Sequence, residues 1–227
     1  MKEKTMKKLT KAIALAGVMT TGLTAAAFTQ AEEVEVAASA AVSNMYLWRG
    51  QDLGNGAAAV SGDLSASMGG AYGGIWMSSG DTTNGQEYDL YVGYGGEIES
   101  FSYDVSVLSY SYPGDDAVNG EGNTFGLTEL IVTGGFAGAS ASYYYPLSSN
   151  PSDYKYITLG YGIDAYSINV GIADADGKNS DYTHVDLGYA YSDNLSFTVS
   201  KIVLMDEEDS FDDDIKFAVT YSLPIEM

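Results

Sequence analysis

The only histidine of the chain, His184, precedes Asp186 by two residues in a segment that alternates between apolar and polar side chains. On an extended strand two such residues share one face, so a general base would lie beside an acid that could orient it. A hydrolase would also need a Ser or a second acid from another strand. The sequence has no Gly-x-Ser-x-Gly elbow in a strand-to-helix context and no phosphate-binding loop. We therefore expect no enzyme and interpret His184 as a hydrogen-bonding residue of the interior, with a hydrolase as the minor alternative.

A second candidate for chemistry is an acidic run in the last tenth of the chain. Seven of the nine residues 206–214 carry carboxylates: Asp206, Glu207, Glu208, Asp209, Asp212, Asp213 and Asp214. Hard oxygen ligands of this kind bind Ca²⁺ in proteins. A solvated acidic loop is the favoured interpretation and a weak Ca²⁺ loop is the alternative; no other cofactor is expected.

The N-terminus has the layout of a secretory signal peptide. Five lysines precede an apolar stretch over residues 12–28, and small residues before Glu32 form a cleavage site, which predicts a leader of residues 1–31. The alternative, a transmembrane anchor, is disfavoured because the apolar run is short and interrupted by Thr. Of 10 basic and 31 acidic residues, the leader holds five and one, so residues 32–227 carry a net charge of −25. A domain this acidic is not expected to bind nucleic acid.

Residues 32–227 are expected to form one all-β domain, because apolar side chains recur there with a period of two. In residues 88–94 (YDLYVGY) and 215–221 (IKFAVTY), one face is apolar and the other is polar or small. This alternation predicts twelve strands, near residues 34–48, 57–68, 73–79, 87–97, 102–112, 125–134, 138–146, 154–163, 167–174, 182–191, 195–204 and 214–223.

The connections between these strands alternate between longer polar loops and tight turns. This alternation is typical of an antiparallel transmembrane β-barrel of the Gram-negative outer membrane, with short periplasmic turns and longer outer loops. Ten tyrosines near strand ends fit an interfacial girdle: Tyr46, Tyr88, Tyr112, Tyr143, Tyr145, Tyr154, Tyr166, Tyr182, Tyr191 and Tyr221. We predict such a barrel, in contact with outer-membrane lipid and lipopolysaccharide, and keep a soluble β protein as the alternative.

A barrel with its apolar faces toward lipid has its polar faces in the lumen. The residues predicted to line it are Asp63, Asp89, Asp104, His184, Asp186 and Lys216, with Glu129 as a further candidate. Carboxylates outnumber cations in this set, so we predict a porin-like channel for passive diffusion of small solutes or ions that favours cations. The alternative is a non-conducting structural or surface-interaction barrel whose acidic outer loops bind cations. Arg49, at the predicted end of the first strand, is expected to pair with a lumen carboxylate or narrow the mouth; the alternative is an interfacial cation.

The sequence resembles the TorF family of predicted porins in residues 43–50 (SNMYLWRG), 87–94 (EYDLYVGY) and 101–105 (FSYDV) with the later YPG at 112–114. The resemblance spans the chain after the leader and is strongest over residues 42–114. It implies an outer-membrane location and a channel, and no particular substrate.

Overall fold

The computed structural model describes residues 33–82, 85–112, 123–148, 150, 152–176, 180–207 and 210–225. The predicted signal peptide, residues 1–31, lies outside the described residues. Every regular element in the described part is a β-strand, and no helix there is long and apolar enough to cross a membrane.

Twelve strands form one closed antiparallel barrel, and two short strands form a separate hairpin. In chain order the strands are β1 Glu35–Ser43, β2 Leu47–Trp48, β3 Gln51–Asp52, β4 Ala59–Met68, β5 Ala71–Asp81, β6 Gly85–Ile98, β7 Phe101–Tyr112, β8 Asn123–Phe136, β9 Ala139–Pro146, β10 Lys155–Ile163, β11 Tyr166–Asp174, β12 Tyr182–Ala190, β13 Leu195–Met205 and β14 Lys216–Ile225. Each barrel strand pairs with its sequence neighbour, and β1 closes the ring by pairing with both β4 and β14. The predicted fold class, an all-β barrel of twelve antiparallel strands, is confirmed.

The prediction for the first strand was wrong at its C-terminal end. The strand stops at Ser43 instead of continuing to residue 48, and residues 44–58 turn into the barrel as a loop that contains the β2–β3 hairpin. The alternation ends at Ser43, since Ser43 and Asn44 are both polar and residues 45–48 (MYLW) are all apolar or aromatic, and this run was wrongly interpreted as a continuation of the strand. This inserted loop is the main departure from a plain barrel.

The outer surface of the barrel is apolar along all of its strands. Side chains such as Val92, Phe136 and Leu187 expose 61%, 62% and 52% of their area. Leaving apolar area in water costs about 25 cal/mol per Å², and soluble monomers rarely expose a continuous patch above a few hundred Å². The exterior therefore suits an apolar surrounding.

The inner surface is lined by small and polar residues, and glycines let large side chains reach across it. Strand pairing puts Gly74 and Gly93 on the inward faces of β5 and β6, where the rings of Tyr91 and Tyr72 lie in the space that a Cβ would fill. Because these glycines have no side chain, the two tyrosine rings have room to lie across the neighbouring strand inside the lumen.

The predicted tyrosine girdle is only partly present. Five of its members are exposed on the exterior: Tyr143, Tyr145, Tyr166, Tyr191 and Tyr221. Four others point inward and use their hydroxyls in the lumen: Tyr46, Tyr112, Tyr154 and Tyr182. A strand end places a tyrosine near the interface, but the parity of its position decides which side it faces.

Candidate functional site in the barrel lumen

The inserted hairpin consists of β2, β3 and a two-residue turn at Arg49 and Gly50. Both turn residues have positive φ, 47° and 81°, as a type I′ hairpin turn requires. A side chain at Gly50 would collide with His184, whose Cβ would lie 2.6 Å from the added atom. After the hairpin, the Asp52 carboxylate accepts hydrogen bonds from the backbone N–H groups of Gly54 (3.0 Å) and Gly56 (2.7 Å). These bonds fix the segment that leads back to the barrel wall. The hairpin tip is thus pressed against the β12 wall.

Arg49 is fully buried at the tip of this hairpin. Its guanidinium donates to Glu129 Oε2 on β8 at 2.6 Å and to the Tyr154 hydroxyl at 2.8 Å. The guanidinium carbon also lies 4.3 Å from the ring centre of Tyr156 and 4.5 Å from that of Trp48, within cation–π range. Of the two interpretations of Arg49, the structure shows the pairing with a lumen carboxylate; the residue lies inside the barrel, not at the outer interface.

His184 belongs to a hydrogen-bonded chain on the wall beside the hairpin. Its Nε2 lies 2.6 Å from the Tyr156 hydroxyl and its Nδ1 lies 3.0 Å from Asp186 Oδ1. Asn169 donates to the other carboxylate oxygen of Asp186 at 3.2 Å. The imidazole is fully buried, both of its nitrogens have partners, and neither partner is a Ser or Thr hydroxyl. The two hydrogen bonds fix the orientation of the ring.

All the predicted lumen residues on barrel strands lie on inward faces. Asp63 accepts a hydrogen bond from Tyr91 (2.7 Å) and Asp104 one from Tyr72 (2.7 Å), each across an intervening strand. The β7–β8 register also places Glu129 on the inward face. Lys216 is buried near the long-loop end and donates to the backbone carbonyls of loop residues at its own end of the barrel. Their role in lining a conducting pore remains a prediction.

A buried acidic pair on β6 was not predicted from the sequence. Glu87 stands two residues before Asp89 on the same inward face, and the two side chains expose only 1% and 2% of their area. Tyr46 donates to Glu87 Oε2, and Tyr112 donates to Glu87 Oε1 at 2.9 Å. Glu87 lies at the predicted start of its strand, two residues before Asp89. Residues two apart on a strand share a face, so this spacing could have placed Glu87 in the lumen beside Asp89.

A cavity of about 30 Å³ lies between the inserted loop and the barrel wall. Its wall includes Tyr46 and Trp48 from the loop, Trp76 from β5 and the Glu87–Asp89 pair from β6. The opposite side is made of small residues such as Ala41 and Ser61. The hairpin therefore fills one side of the lumen and leaves space along β1, β4, β5 and β6.

The acidic run is only partly described, since Glu208 and Asp209 lie outside the described residues. Asp213 pairs with Lys201 at 3.1 Å and Asp212 pairs with Lys216 at 3.3 Å. The backbone N–H of Asp214 donates to Asp212 (3.0 Å) and, with the nearby Lys216 ammonium, holds the pKa of the Asp212 carboxyl below its usual value. In the described residues no three His, Cys, Asp or Glu side chains are grouped to hold a metal ion. Calcium binding by this run remains a prediction.

Comparison with solved structures shows similarity to β-barrels at low sequence identity. A chain from a study of the in-meso crystallization of membrane proteins has 11% identity and a TM-score of 0.51, with 83% of this chain and 84% of that chain covered. The KdgM porin has 9% identity and a TM-score of 0.45, with 85% and 99% covered. Outer membrane phospholipase A from Escherichia coli has 11% identity and a TM-score of 0.41, with 95% and 98% covered. At these identities the first match supports the fold alone.

A comparison with curated proteins finds no match, and none of the comparisons confirms the resemblance to the TorF family. A family model does match residues 27–211, which covers most of the chain and every barrel strand except β14. The chain belongs to the Gcw_chp family, bacterial proteins of unknown function.

Proposed function

We propose that this chain is a porin-like channel of the bacterial outer membrane that passes small cations or solutes beside an inserted hairpin. The observation that carries the proposal is the contrast between the two faces of a closed barrel. Its exterior is apolar on every strand, and its interior holds carboxylates, hydroxyls and glycines. Closure pairs the strand backbones around the ring, as the hydrocarbon core of a membrane demands.

The strand lengths and the connections at the two ends of the barrel support a membrane-spanning arrangement with a defined direction. Its strands run from eight residues in β9 to fourteen in β6 and β8, against about 9–11 needed to span the bilayer at a tilt. The tight turns at one end and longer connections at the other follow the outer-membrane pattern, with the longer connections outside. The apolar belt then contacts lipid and, in the outer leaflet, lipopolysaccharide.

The proposed path enters at the short-turn end, where the wall is small and polar. It passes Asp63 and Asp104, then continues through the cavity beside the hairpin, past Glu87 and Asp89. In the described residues, Arg49 is paired with Glu129 and the lysines with loop carboxylates or carbonyls. Carboxyl groups therefore outnumber unpaired cations along the path, which favours cations over anions.

A second candidate is a non-conducting barrel with a structural or surface-interaction role. The observation in its favour is the same hairpin, because Arg49 fills the long-loop half of the lumen with a charged and aromatic cluster. An enzymatic role has less support, since the buried His184 lacks a nucleophile. We do not propose one.

Single-channel recording of the protein from residue 32, refolded and placed in a planar bilayer under a KCl gradient, tests the proposal. We expect small discrete steps whose reversal potential has the sign of cation selectivity. The matched variants are Asp89→Asn, on the path, and Asp153→Asn, in an exposed pair with Lys155 away from it. Cation selectivity should fall in the first and not in the second. A folded barrel that never conducts would favour the non-conducting alternative.

A further inference from the structure

The cavity beside the hairpin is lined by a carboxylate, Asp89, that has one oxygen without a hydrogen-bond donor. Asp89 exposes 2% of its area, and its Oδ1 atom, on the cavity wall, accepts no hydrogen bond. Its neighbour Glu87 is different, because two tyrosine hydroxyls donate to its two oxygens. Burial of a carboxylate oxygen without a hydrogen-bond donor costs free energy, because the oxygen loses its hydrogen bonds to water and makes none to the protein. Asp89 is therefore the group in this cavity that lacks a ligand.

No cation of the described chain is placed to neutralise this pair. Arg49 makes its ion pair with Glu129, and Lys155, Lys201 and Lys216 pair with carboxylates of the loops. None of these ion pairs includes Glu87 or Asp89. A proton held by the pair or a cation from outside the described residues would offset this charge.

The remaining walls of the cavity are aromatic. Tyr46 and Trp76 face each other with ring centres 6.3 Å apart, and Trp48 and Tyr110 complete this side. Aromatic faces attract cations, and organic ammonium ions gain most because their alkyl groups also leave water. A hydrated metal ion gains little from such walls, and no three His, Cys, Asp or Glu side chains of the described residues converge as metal ligands. The cavity holds about 30 Å³ and is partly open, so it has room for an ammonium group whose alkyl chain extends along the aromatic walls.

We propose that this cavity is a binding site for a small organic ammonium ion, with Asp89 as the anionic acceptor and Tyr46, Trp48 and Trp76 as the aromatic walls. The N–H groups of the ligand donate to Asp89 Oδ1, and its carbon chain lies against the rings. Glu87 adds negative charge and is held in place by Tyr46 and Tyr112. The site lies on the path of the proposed channel and would make that channel selective for amines, but binding itself does not require conduction.

Ligand binding in this cavity can be followed by the intrinsic fluorescence of tryptophan. It has only two tryptophans, Trp48 and Trp76, and both line the cavity. Intrinsic tryptophan fluorescence of the refolded barrel therefore reports on the cavity alone. We would titrate the protein from residue 32, refolded in detergent, with n-butylammonium chloride at constant ionic strength and confirm the heat of binding by calorimetry.

The expected result is a saturable change in tryptophan emission with n-butylammonium, and a much weaker change with NaCl or CaCl₂ at matched ionic strength. Asp89→Asn keeps the shape of the side chain and removes its charge, so affinity should fall by about tenfold or more. Asp153→Asn is the matched control, since that carboxylate pairs with Lys155 in an exposed loop and does not line this cavity. Its affinity should stay within about twofold of the wild type.

Three outcomes would overturn the proposal: no saturable response to n-butylammonium, an equal response to Na⁺ or Ca²⁺, or an affinity that is the same in Asp89→Asn as in the wild type. The Asn variant must first show the heat-modifiable gel mobility of a folded barrel, and Asp89→Glu serves as a second variant that keeps the charge if it does not fold. Failure of the channel proposal is separate: a barrel that binds n-butylammonium but never conducts would retain this site and lose the channel.

Discussion

The Arg49–Glu129 ion pair provides the sharpest energetic prediction, because both side chains are fully buried. Removing one partner of a buried pair leaves an uncompensated charge and costs about 3–5 kcal/mol. Arg49→Met leaves Glu129 with only the Tyr110 hydroxyl at 3.1 Å, so we expect a loss of about 4 kcal/mol. Glu129→Met leaves the guanidinium with the Tyr154 hydroxyl and the rings of Trp48 and Tyr156, so we expect the lower end, about 3 kcal/mol.

The double variant should be more stable than either single variant. The pair is imperfectly satisfied, since Arg49 Nε and Glu129 Oε1 have no hydrogen-bond partner. Replacing both side chains with Met removes the two charges together, and well-packed apolar replacements of buried pairs are often neutral. We therefore expect the Arg49→Met/Glu129→Met double variant to lie within about 1 kcal/mol of the wild type.

The assay is equilibrium unfolding in urea of the barrel refolded into lipid vesicles, with folded and unfolded species separated by gel mobility. The matched control is the Lys155–Asp153 pair, whose side chains are 33% and 55% exposed. Breaking that pair should cost less than about 1 kcal/mol. The reasoning is refuted if the single variants at Arg49 and Glu129 also cost less than about 1 kcal/mol, or if the double variant loses the sum of the two single losses.

Three further predictions concern the hairpin, the lumen wall and the acidic run. Gly50→Ala should destabilise the barrel by more than Gly56→Ala, because both glycines have φ near +80° but only at Gly50 would the added Cβ collide with a neighbour, His184. Urea unfolding of both variants checks this, and equal losses of stability would contradict it. Tyr156→Phe should cost about 1–3 kcal/mol because His184 Nε2 is left buried without a partner, and an unchanged urea midpoint would count against the network. The folded-state pKa of Asp212 is depressed, so its contribution to stability is present above the unfolded value of about 3.9 and is lost as the pH falls through the folded value. Asp212→Asn should therefore reduce the loss of stability below about pH 4, and an unchanged acid profile would contradict this.

The barrel itself could be predicted from the sequence, because alternation is a local signal. Residues such as Tyr88, Leu90 and Val92 fix one face of β6, and Asp89 then has to face the other side. The same parity placed His184 and Asp186 together in the lumen. The predicted strand count and the inward set therefore depended on short-range pattern alone.

The inserted hairpin could not be predicted in this way, because contacts distant in sequence stabilise it. Arg49 forms a hydrogen-bonded ion pair with Glu129, which is 80 positions away in the sequence, and no local sequence pattern predicts that contact. Its turn uses Arg and Gly at the two positive-φ positions, a weaker hairpin signal than Asn-Gly. The cavity and the unpartnered oxygen of Asp89 are consequences of this insertion and were hidden for the same reason.

The geometry of the hairpin base permits a clean structural perturbation. The backbone N–H of Leu53 donates to the carbonyl of Tyr46 at 2.9 Å, so the chain on both sides of the hairpin is already paired there. Replacing residues 47–52 with an Asn-Gly turn would close the loop at that pair and remove Trp48 and Arg49 from the lumen. Combining this change with Glu129→Gln avoids leaving a buried unpaired carboxylate.

The most direct test of the central claim is single-channel recording of this shortened variant beside the wild type under the same KCl gradient. If the hairpin narrows a cation-favouring path, the wild type shows small cation-selective steps, and the shortened variant shows larger steps whose reversal potential keeps the same sign. If both proteins are folded by gel mobility and the shortened variant conducts no better than the wild type, the hairpin is not the constriction and the proposed path is wrong.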